Sequence, residues 1–218
     1  MAASTRSPRG IDVTPLVSIL NDLTGNRPVL AAWLRRFAAP ELALHAAGRS
    51  YWHPNGFAKI VLEAGPNHKV RLHVWPAGEH RLGESNPHGH RWDFASTVLC
   101  GAGLTDTHYV ESGMGSRYIR HAYMSGTLSP VGDVLLEEGE SHDVHTRDIY
   151  TIDTKIVHTV RPLGTALVAT LVVQGKPRLE SAPVYCLPGT PVDEPVKPIS
   201  ADEVRDLVHQ VLNASDFG

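Results

Sequence analysis

From about residue 51 to residue 176, the sequence consists of short strand-forming runs separated by Gly, Pro and Asn. These runs include FAKIVLEA, HKVRLHVWPA, FASTVLCG, LTDTHYVES, RYIRHAYM and TALVATLVVQG. Many short strands at roughly even spacing predict an all-β sandwich or barrel. The run ALVATLVV is apolar at odd and even positions alike, which predicts a strand that is buried on both faces.

Helical patterns flank this β region. Three helices are predicted before it, over Asp12–Leu23, Pro28–Phe37 and Pro40–Ala47. Thr14 is the predicted cap of the first, and a capping box of Ser200 and Glu203 predicts a fourth helix near the end of the sequence. We therefore predict an N-terminal helical extension over residues 1–50, a β-barrel over 51–180, and an extended segment with a C-terminal helix over 181–218.

The composition limits the classes of function. A length of 218 residues with 42% hydrophobic content suits one domain with additions. The net charge of -3 gives no electrostatic case for nucleic acid or an anionic membrane as a partner, and no apolar run is long enough to span a bilayer. The first ten residues lack the apolar core of a signal peptide, so we expect a cytoplasmic protein. Cys100 and Cys186 are too few for a disulfide framework and are predicted to be reduced, partly buried thiols.

The sequence has 13 histidines, and imidazole is the commonest metal ligand in proteins. In NPHGHRWDFASTVLCG, His88 and His90 are spaced like residues on one face of a strand. Such a pair can bind a divalent metal if another strand supplies a third ligand, although two hydrogen-bonded structural histidines give the same pattern. His142 and His145 of HDVH, in a stretch that predicts a loop followed by a strand, are an alternative source of ligands.

The stretch from His88 resembles the first motif of the cupin superfamily, which is H-x-H, three or four residues, Glu, six residues and Gly. His88, His90 and Gly101 match this motif, and Phe94 stands at the position of the Glu. The resemblance covers roughly residues 51–176. It implies an all-β double-stranded β-helix, a jelly-roll barrel, with metal ligands on its inner wall.

The stretch YTIDTKIVHTV resembles the second cupin motif in the form found in the cysteine dioxygenase family. Tyr150, Asp153 and His158 carry this likeness. That family has a non-ligand where other cupins have Glu, and it binds iron with three histidines. The resemblance therefore implies His88, His90 and His158 as the metal ligands, with Fe(II) as the metal and O2 as the co-substrate.

The residues that bind substrate in that family are not matched. TALVATLVVQG contains no His or Tyr for the Ser-His-Tyr relay, and the substrate arginine falls on His53 of YWH. We therefore expect a dioxygenase for another small anionic metabolite, either sulfur-containing or amino-acid-like. Three histidines leave three iron positions open for substrate and O2. Zn, Ni or Mn would instead serve an isomerase, lyase or hydrolase, and a cupin that only binds a small molecule is the remaining alternative.

The candidate catalytic residues are His53, Tyr150 and Arg161, with the arginine placed to bind an anion. Further candidates, each with a surface or turn role as its alternative, are Arg91 and Arg120 for an anion, Tyr109, Tyr118 and Tyr123 for a proton, and Asp93 and Asp153 as partners of the metal-binding imidazoles. The strand KVRLHVW places Arg71, His73 and Trp75 on one face, which borders the cavity only if that face is the barrel interior. The expected partners are a small-molecule substrate and a second copy of the chain, because homodimers are common and sheet edges need covering.

Overall fold

The computed structural model describes residues 13–78, 86–190 and 196–215. The described helices are α1 (Thr14–Thr24), α2 (Arg27–Arg35), α3 (Pro40–Ala47) and α4 (Ala201–Ala214), with a 3-10 turn over Arg36–Ala38. The strands are β1 (Tyr51–Trp52), β2 (Ala58–Ala64), β3 (Lys69–Trp75), β4 (Phe94–Cys100), β5 (Leu104–Ser112), β6 (Ser116–Met124), β7 (Thr127–Val144), β8 (Ile149–Ile152), β9 (Val157–Pro162), β10 (Val168–Gln174), β11 (Ala182–Cys186) and β12 (Lys197–Pro198).

The predicted N-terminal cap is correct for α4 and wrong for α1. The capping box of α4 is present, because Ser200 and Glu203 each accept the other's backbone N–H. Thr14 is wrong as a cap, since it is the first helical residue and follows Val13, whose side chain makes no cap hydrogen bond. The predicted start at Asp12 lies outside the described residues.

Two antiparallel sheets form the β region. The strand order is β12-β1-β2-β3-β10-β4-β8 in the seven-stranded sheet and β11-β6-β7-β5-β9 in the five-stranded sheet. Trp75, Val98 and Val168 of the first sheet pack with Leu104 and Val160 of the second in one buried cluster. The sheets therefore face each other and enclose a common interior.

The outer face of the seven-stranded sheet is covered by the helices. Leu72, Val74, Leu171 and Val173 lie in one buried cluster with helical residues such as Leu207. Side chains alternate along a strand, so the residues between them on β3 and β10 point into the interior. β10 is buried over its whole length, as the apolar pattern of ALVATLVV predicts.

The predicted fold class is confirmed: the chain is an all-β double-stranded β-helix with N-terminal helices and one C-terminal helix. Among the described helices, none is long and apolar enough to cross a membrane.

Both cysteines, Cys100 and Cys186, are buried and free, in agreement with the predicted reduced thiols. Burial raises the pKa of each thiol, which keeps both protonated at neutral pH.

The predicted loop around HDVH is wrong in its first half. His142 lies inside β7, which is 18 residues long, and its side chain is exposed. Hydrogen bonding of β7 to β5 extends through this stretch, with His142 opposite Asp106, so the glycine and acidic residues do not end the strand. His145 follows β7, and its ring Nδ1 lies 3.2 Å from the carbonyl oxygen of Ala102.

Candidate metal centre

Backbone pairing brings His88 next to His158 of β9. The N–H of His88 donates to the carbonyl of His158 at 3.0 Å, and the reverse bond measures 2.9 Å. Gly89 donates its N–H to the carbonyl of Pro183 at 2.9 Å. A Cβ on Gly89 would lie 2.9 Å from the Pro183 ring, which is too close. A glycine is therefore needed between the two histidines for β11 to pack against them.

His88, His90 and His158 form a cluster whose ligand nitrogens all lie within 4.8 Å of one another. The Nε2 atoms of His90 and His158 are 2.9 Å apart. Nδ1 of His88 lies 3.1 Å from the carbonyl oxygen of Asn86, and Nδ1 of His158 lies 2.6 Å from Asp106 Oδ1. Both Nδ1 atoms are thus engaged in hydrogen bonds that leave Nε2 as the ligand atom.

This arrangement fits a metal ion. Imidazole nitrogens bind metal ions such as zinc at about 2.1 Å, and with bonds of that length two adjacent ligands of an octahedral ion, at a right angle, lie about 3 Å apart. The 2.9 Å between Nε2 of His90 and Nε2 of His158 agrees with that spacing. The cluster His88, His90 and His158 can therefore hold a metal ion.

The protonation states also suit metal binding. Burial lowers the pKa of His90 well below its ordinary value, and the positive charges that His88 and His158 carry when protonated act in the same direction. His90 is therefore neutral at pH 7 and keeps a lone pair for a ligand bond. Burial alone would raise the pKa of Asp106, but hydrogen bonds from His108 and His158 lower it to about 2.

Asp106 belongs to the candidate site, and the sequence analysis missed it. Its Oδ1 accepts from His158 and its Oδ2 lies 3.0 Å from Nε2 of His108, so one carboxylate holds the ring of a candidate metal ligand and contacts a half-exposed histidine. A carboxylate in this position fixes the imidazole tautomer and raises its basicity as a ligand. The D-x-H spacing of Asp106 and His108 on the strand run LTDTHYVES is a local signal for their contact with each other, and it does not indicate His158.

The two aspartates that the sequence suggested for this role have other partners. Asp93 accepts from Nη1 of Arg178 at 2.7 Å and from the N–H of Thr154 at 3.0 Å. Asp153 accepts the N–H of Lys155 at 2.7 Å and so caps a turn. Both aspartates therefore have the structural role, at a turn or a strand end, that was the alternative to contacting a metal-binding imidazole.

Replacing Asp106 by asparagine should weaken metal binding by about 10- to 100-fold, because His158 loses the carboxylate that orients it. A competition titration against a chromophoric chelator measures this change. Asp143→Asn is the matched control, since Asp143 is exposed and accepts from the Thr105 hydroxyl instead. Equal affinities of the Asp106 variant and the wild type would exclude this role.

Phe94 occupies the place where the cupin motif has a Glu ligand. Its ring centroid lies 5.1 Å from that of His90 and 6.2 Å from that of His158. Phe94 is buried and packs with Ile152 and Val172. Among the described residues, the only group of His, Cys, Asp and Glu that converges on a possible metal position is the histidine triad.

The three predicted catalytic residues lie in different places. His53 stacks on Phe57 at 4.6 Å, and Tyr150 packs edge-on against Phe94 at 6.0 Å. Arg161 is exposed. Side chains alternate along β9, so Arg161 lies on the face opposite His158 and points away from the interior. Tyr150 therefore lies beside the triad through Phe94, the charge of His88 when protonated acts on His53, and Arg161 is not brought to this side of the sheet.

The further candidates are mostly held by other contacts. Nε of Arg91 donates to the carbonyl of Leu179, Nη1 of Arg120 lies 3.2 Å from Glu111, and the Tyr109 hydroxyl lies 3.4 Å from that of Thr159. Burial raises the pKa of both Tyr118 and Tyr123, which disfavours their ionised form. Arg71, His73 and Trp75 do face the interior, since Trp75 belongs to the buried cluster between the sheets.

Two partly buried histidines predict a loss of stability in acid. Burial, with the charge of Lys59, lowers the pKa of His53 to about 2 and the pKa of His73 well below its ordinary value. Below about pH 6.5 the unfolded chain binds protons that the native protein does not bind, so the free energy of unfolding falls as the pH falls. Each histidine contributes up to about 1.4 kcal/mol per pH unit.

Urea unfolding of the metal-free protein between about pH 7.5 and pH 5 measures this slope. His73→Gln should make it shallower, because the variant lacks one buried group that resists protonation. His209→Gln, on the exposed face of α4, should leave it unchanged. An identical slope for His73→Gln and wild type would contradict the assignment.

No protein-family model matches the chain, and no curated protein matches it. Solved structures do resemble it in fold. A cupin domain from Bordetella pertussis Tohama I has 15% identity and a TM-score of 0.35, covering 57% of this chain and 97% of that one. The hydroxypropylphosphonic acid epoxidase from S. wedmorenis has 10% identity and a TM-score of 0.36, covering 57% and 53%. The Drosophila melanogaster CENP-C cupin domain has 7% identity and a TM-score of 0.37, covering 57% and 74%.

These likenesses concern the fold alone, and the proteins that share it differ in kind. The two-sheet architecture and the histidine triad agree with the cupin resemblance of the sequence. None of the three structures named is a cysteine dioxygenase, so that branch of the resemblance stays a prediction. Function must be argued from the site.

Proposed function

We propose that this protein is a metal-dependent cupin enzyme, a non-haem Fe(II) dioxygenase that oxidises a small anionic metabolite with O2. The convergence of three Nε2 atoms beside Phe94 carries the proposal. Three neutral imidazoles add no negative charge to the ion, and the phenyl ring adds no fourth ligand. The ion therefore keeps open coordination positions and its full positive charge. Both favour direct binding of an anionic substrate to the ion beside O2.

In this proposal His88, His90 and His158 hold the ion, and Asp106 holds the ring of His158 in its ligand orientation. Fe(II), when bound, supplies the activation of O2. Phe94, Tyr150 and the other interior side chains restrict access of water to the ion.

His53 is the proposed hydrogen-bond donor to the substrate. Its Nδ1 accepts the N–H of Asn55 at 3.3 Å, so the neutral ring carries its proton on Nε2. Burial, followed by the charges of Lys59 and His88, keeps the pKa of His53 at about 2, so the ring stays neutral over the physiological range. The ring lies against Phe57, which fixes its orientation at the interior wall.

The test begins with the metal. Protein purified without chelators or a metal-affinity tag should contain about one iron per chain by mass spectrometry, or take it up on anaerobic loading with Fe(II). An O2 electrode then screens small thiols, thiol carboxylates and amino acids with the iron-loaded protein. We expect O2 consumption that requires both iron and one of these substrates.

Two outcomes would overturn the proposal in different ways. Turnover of a substrate with Zn, Ni or Mn in the complete absence of O2 would select an isomerase, lyase or hydrolase. A protein that takes up no metal after anaerobic loading, yet binds a metabolite, would be a non-catalytic binding protein.

A further inference from the structure

Further metal-binding side chains lie beside the triad, on the neighbouring strands β5 and β7. Asp106 of β5 lies opposite His142 of β7, and His108 of β5 lies opposite His158 of β9. Glu140 precedes His142 by two residues, and a β-bulge in this register sets it beside His108. Residues that are opposite each other, or two apart on one strand, share a face of the sheet. His108, His142 and Glu140, which we call the outer cluster, therefore lie on the same face as His158.

Asp106 orients a ring of the outer cluster as well as a ring of the triad. Its Oδ2 lies 3.0 Å from Nε2 of His108, and its Oδ1 lies 2.6 Å from Nδ1 of His158. The carboxylate is ionised, because its pKa is about 2, so both rings donate to it. Nδ1 of His108 is thus left with a lone pair. A histidine that donates one ring N–H to a carboxylate and offers the other nitrogen is the usual form of a metal ligand.

The outer cluster has spacings close to those of metal ligands. Nε2 of His142 lies 3.3 Å from Oε2 of Glu140, near the distance of about 3 Å between adjacent ligands of an octahedral ion. The ring centroids of His108 and His142 are 5.8 Å apart, and those of the triad are 4.9 to 5.2 Å apart. The side chains of His142 and Glu140 are 54% and 84% exposed. Both can therefore rotate toward His108 around an ion without disturbing the core.

The electrostatic environment of His108 favours a cation. The hydrogen bond to Asp106 raises the pKa of His108, and the charges of Asp106 and Glu140 raise it further, although burial opposes them. Burial and the charged forms of the neighbouring imidazoles instead lower the pKa of His90 in the triad. A divalent ion that replaces the proton on His108 would be attracted by the same two carboxylates.

We propose that the outer cluster is a second metal site, in which Nδ1 of His108, Nε2 of His142 and a carboxylate oxygen of Glu140 bind one divalent ion. Two imidazoles and a carboxylate suit Zn(II), Ni(II) or Cu(II), whereas Mg(II) and Ca(II) prefer oxygen ligands. The site should bind more weakly than the triad, because two of its three ligands are exposed side chains that must be ordered. Fe(II) has a lower affinity for such ligands, so protein that is loaded with iron and desalted should keep iron in the triad alone.

The test titrates the metal-free full-length protein with Zn(II) alone, by isothermal titration calorimetry at about pH 7.5, where most imidazoles are neutral. Wild type should bind one Zn(II) tightly and a second more weakly. His142→Gln should keep the tight step and weaken the second by at least about tenfold, because even the loss of a group that only orients a ligand costs about 10- to 100-fold. Glu140→Gln should weaken the second step in the same direction, and an excess of Mg(II) should leave it in place.

His145→Gln is the matched control. His145 is another exposed histidine of the HDVH stretch, but its ring Nδ1 lies 3.2 Å from the carbonyl oxygen of Ala102. The second Zn(II) should bind to this variant as it binds to wild type. A wild type that binds a single Zn(II) in the triad, a second step that survives in His142→Gln, or equal weakening in His145→Gln would overturn the proposal. Displacement of the second ion by Mg(II) would also overturn it, since imidazole ligands would then not be involved.

The second site and the proposed function fail separately. His88→Ala combined with His90→Ala removes two ligands of the triad and leaves Asp106 and the outer cluster in place. This double variant should lose the tight step and keep the weaker one. Loss of both steps would assign the second ion to the triad and overturn the outer site. A wild type that binds only the weaker ion, sensitive to His142→Gln, would support the outer site and remove the dioxygenase.

Discussion

His158→Ala should reduce the bound metal from about one ion per chain to near zero. His158 contributes the buried ligand of the triad, and its backbone also pairs with His88. With His158 removed, two imidazoles remain, and Asp106 loses the ring that it orients. Mass spectrometry of protein loaded anaerobically with Fe(II) and then desalted measures the stoichiometry, and O2 consumption should disappear with the metal.

His121→Ala is the matched control for this variant. His121 is also a buried histidine on the five-stranded sheet, but its ring Nδ1 lies 3.0 Å from the carbonyl oxygen of Ile119 and it is not part of the triad. Metal content should therefore remain at the wild-type level in the control. Full metal content in His158→Ala, with circular dichroism like that of wild type, would show that the ion binds elsewhere.

Phe94→Glu should retain the metal and lose most of the oxygenase activity. The carboxylate would lie beside His90 and His158, where it can occupy one of the three positions that substrate and O2 need. We expect tighter metal binding together with a fall in kcat of at least about tenfold, equivalent to about 1.4 kcal/mol of lost transition-state stabilisation. Chelator competition and O2 consumption, measured on the same preparation, separate the two effects.

Phe94→Leu is the control for lost packing. It removes the aromatic ring that contacts Ile152 and Val172 but adds no ligand, so metal affinity should stay close to that of wild type. A Phe94→Glu protein that turns over at the wild-type rate would mean that the open positions beside Phe94 are not used in catalysis.

The local signals in this sequence predict the elements of the fold well, and the three histidines named from the sequence do lie together. The strand runs and the capping box at Ser200 are short-range patterns, and they appear where the sequence places them. His88 and His90 do come together, but the predicted strand is wrong there: β4 begins only at Phe94, and His88 pairs through isolated bridges to His158 and Val184. The third ligand, His158, needed the family resemblance, since nothing local ties it to residues on another strand.

The failure to predict Asp106 has a physical cause, which is long-range pairing. Asp106 is a ligand-orienting residue only because β5 lies beside β9, and the pairing of the two strands is not encoded near either residue. The prediction that Arg161 binds an anion in the site failed for a different reason, because alternation on β9 turns its side chain to the face opposite His158. The sequence alone did not indicate whether Arg71 and His73 face the barrel interior or the outside. They face the interior because the helices pack against the other face of β3.

The backbone bridge between His88 and His158 has a consequence for the lifetime of the protein. His90 and His158 are 68 residues apart, so an ion bound between them would cross-link distant parts of the chain and close a long loop. Binding to the native state alone would add about 2.7 kcal/mol to the free energy of unfolding at a free metal concentration of 100 times the Kd. Metal supply would then set the abundance of the protein as well as its activity, because the metal-depleted chain opens more often and is exposed to proteolysis.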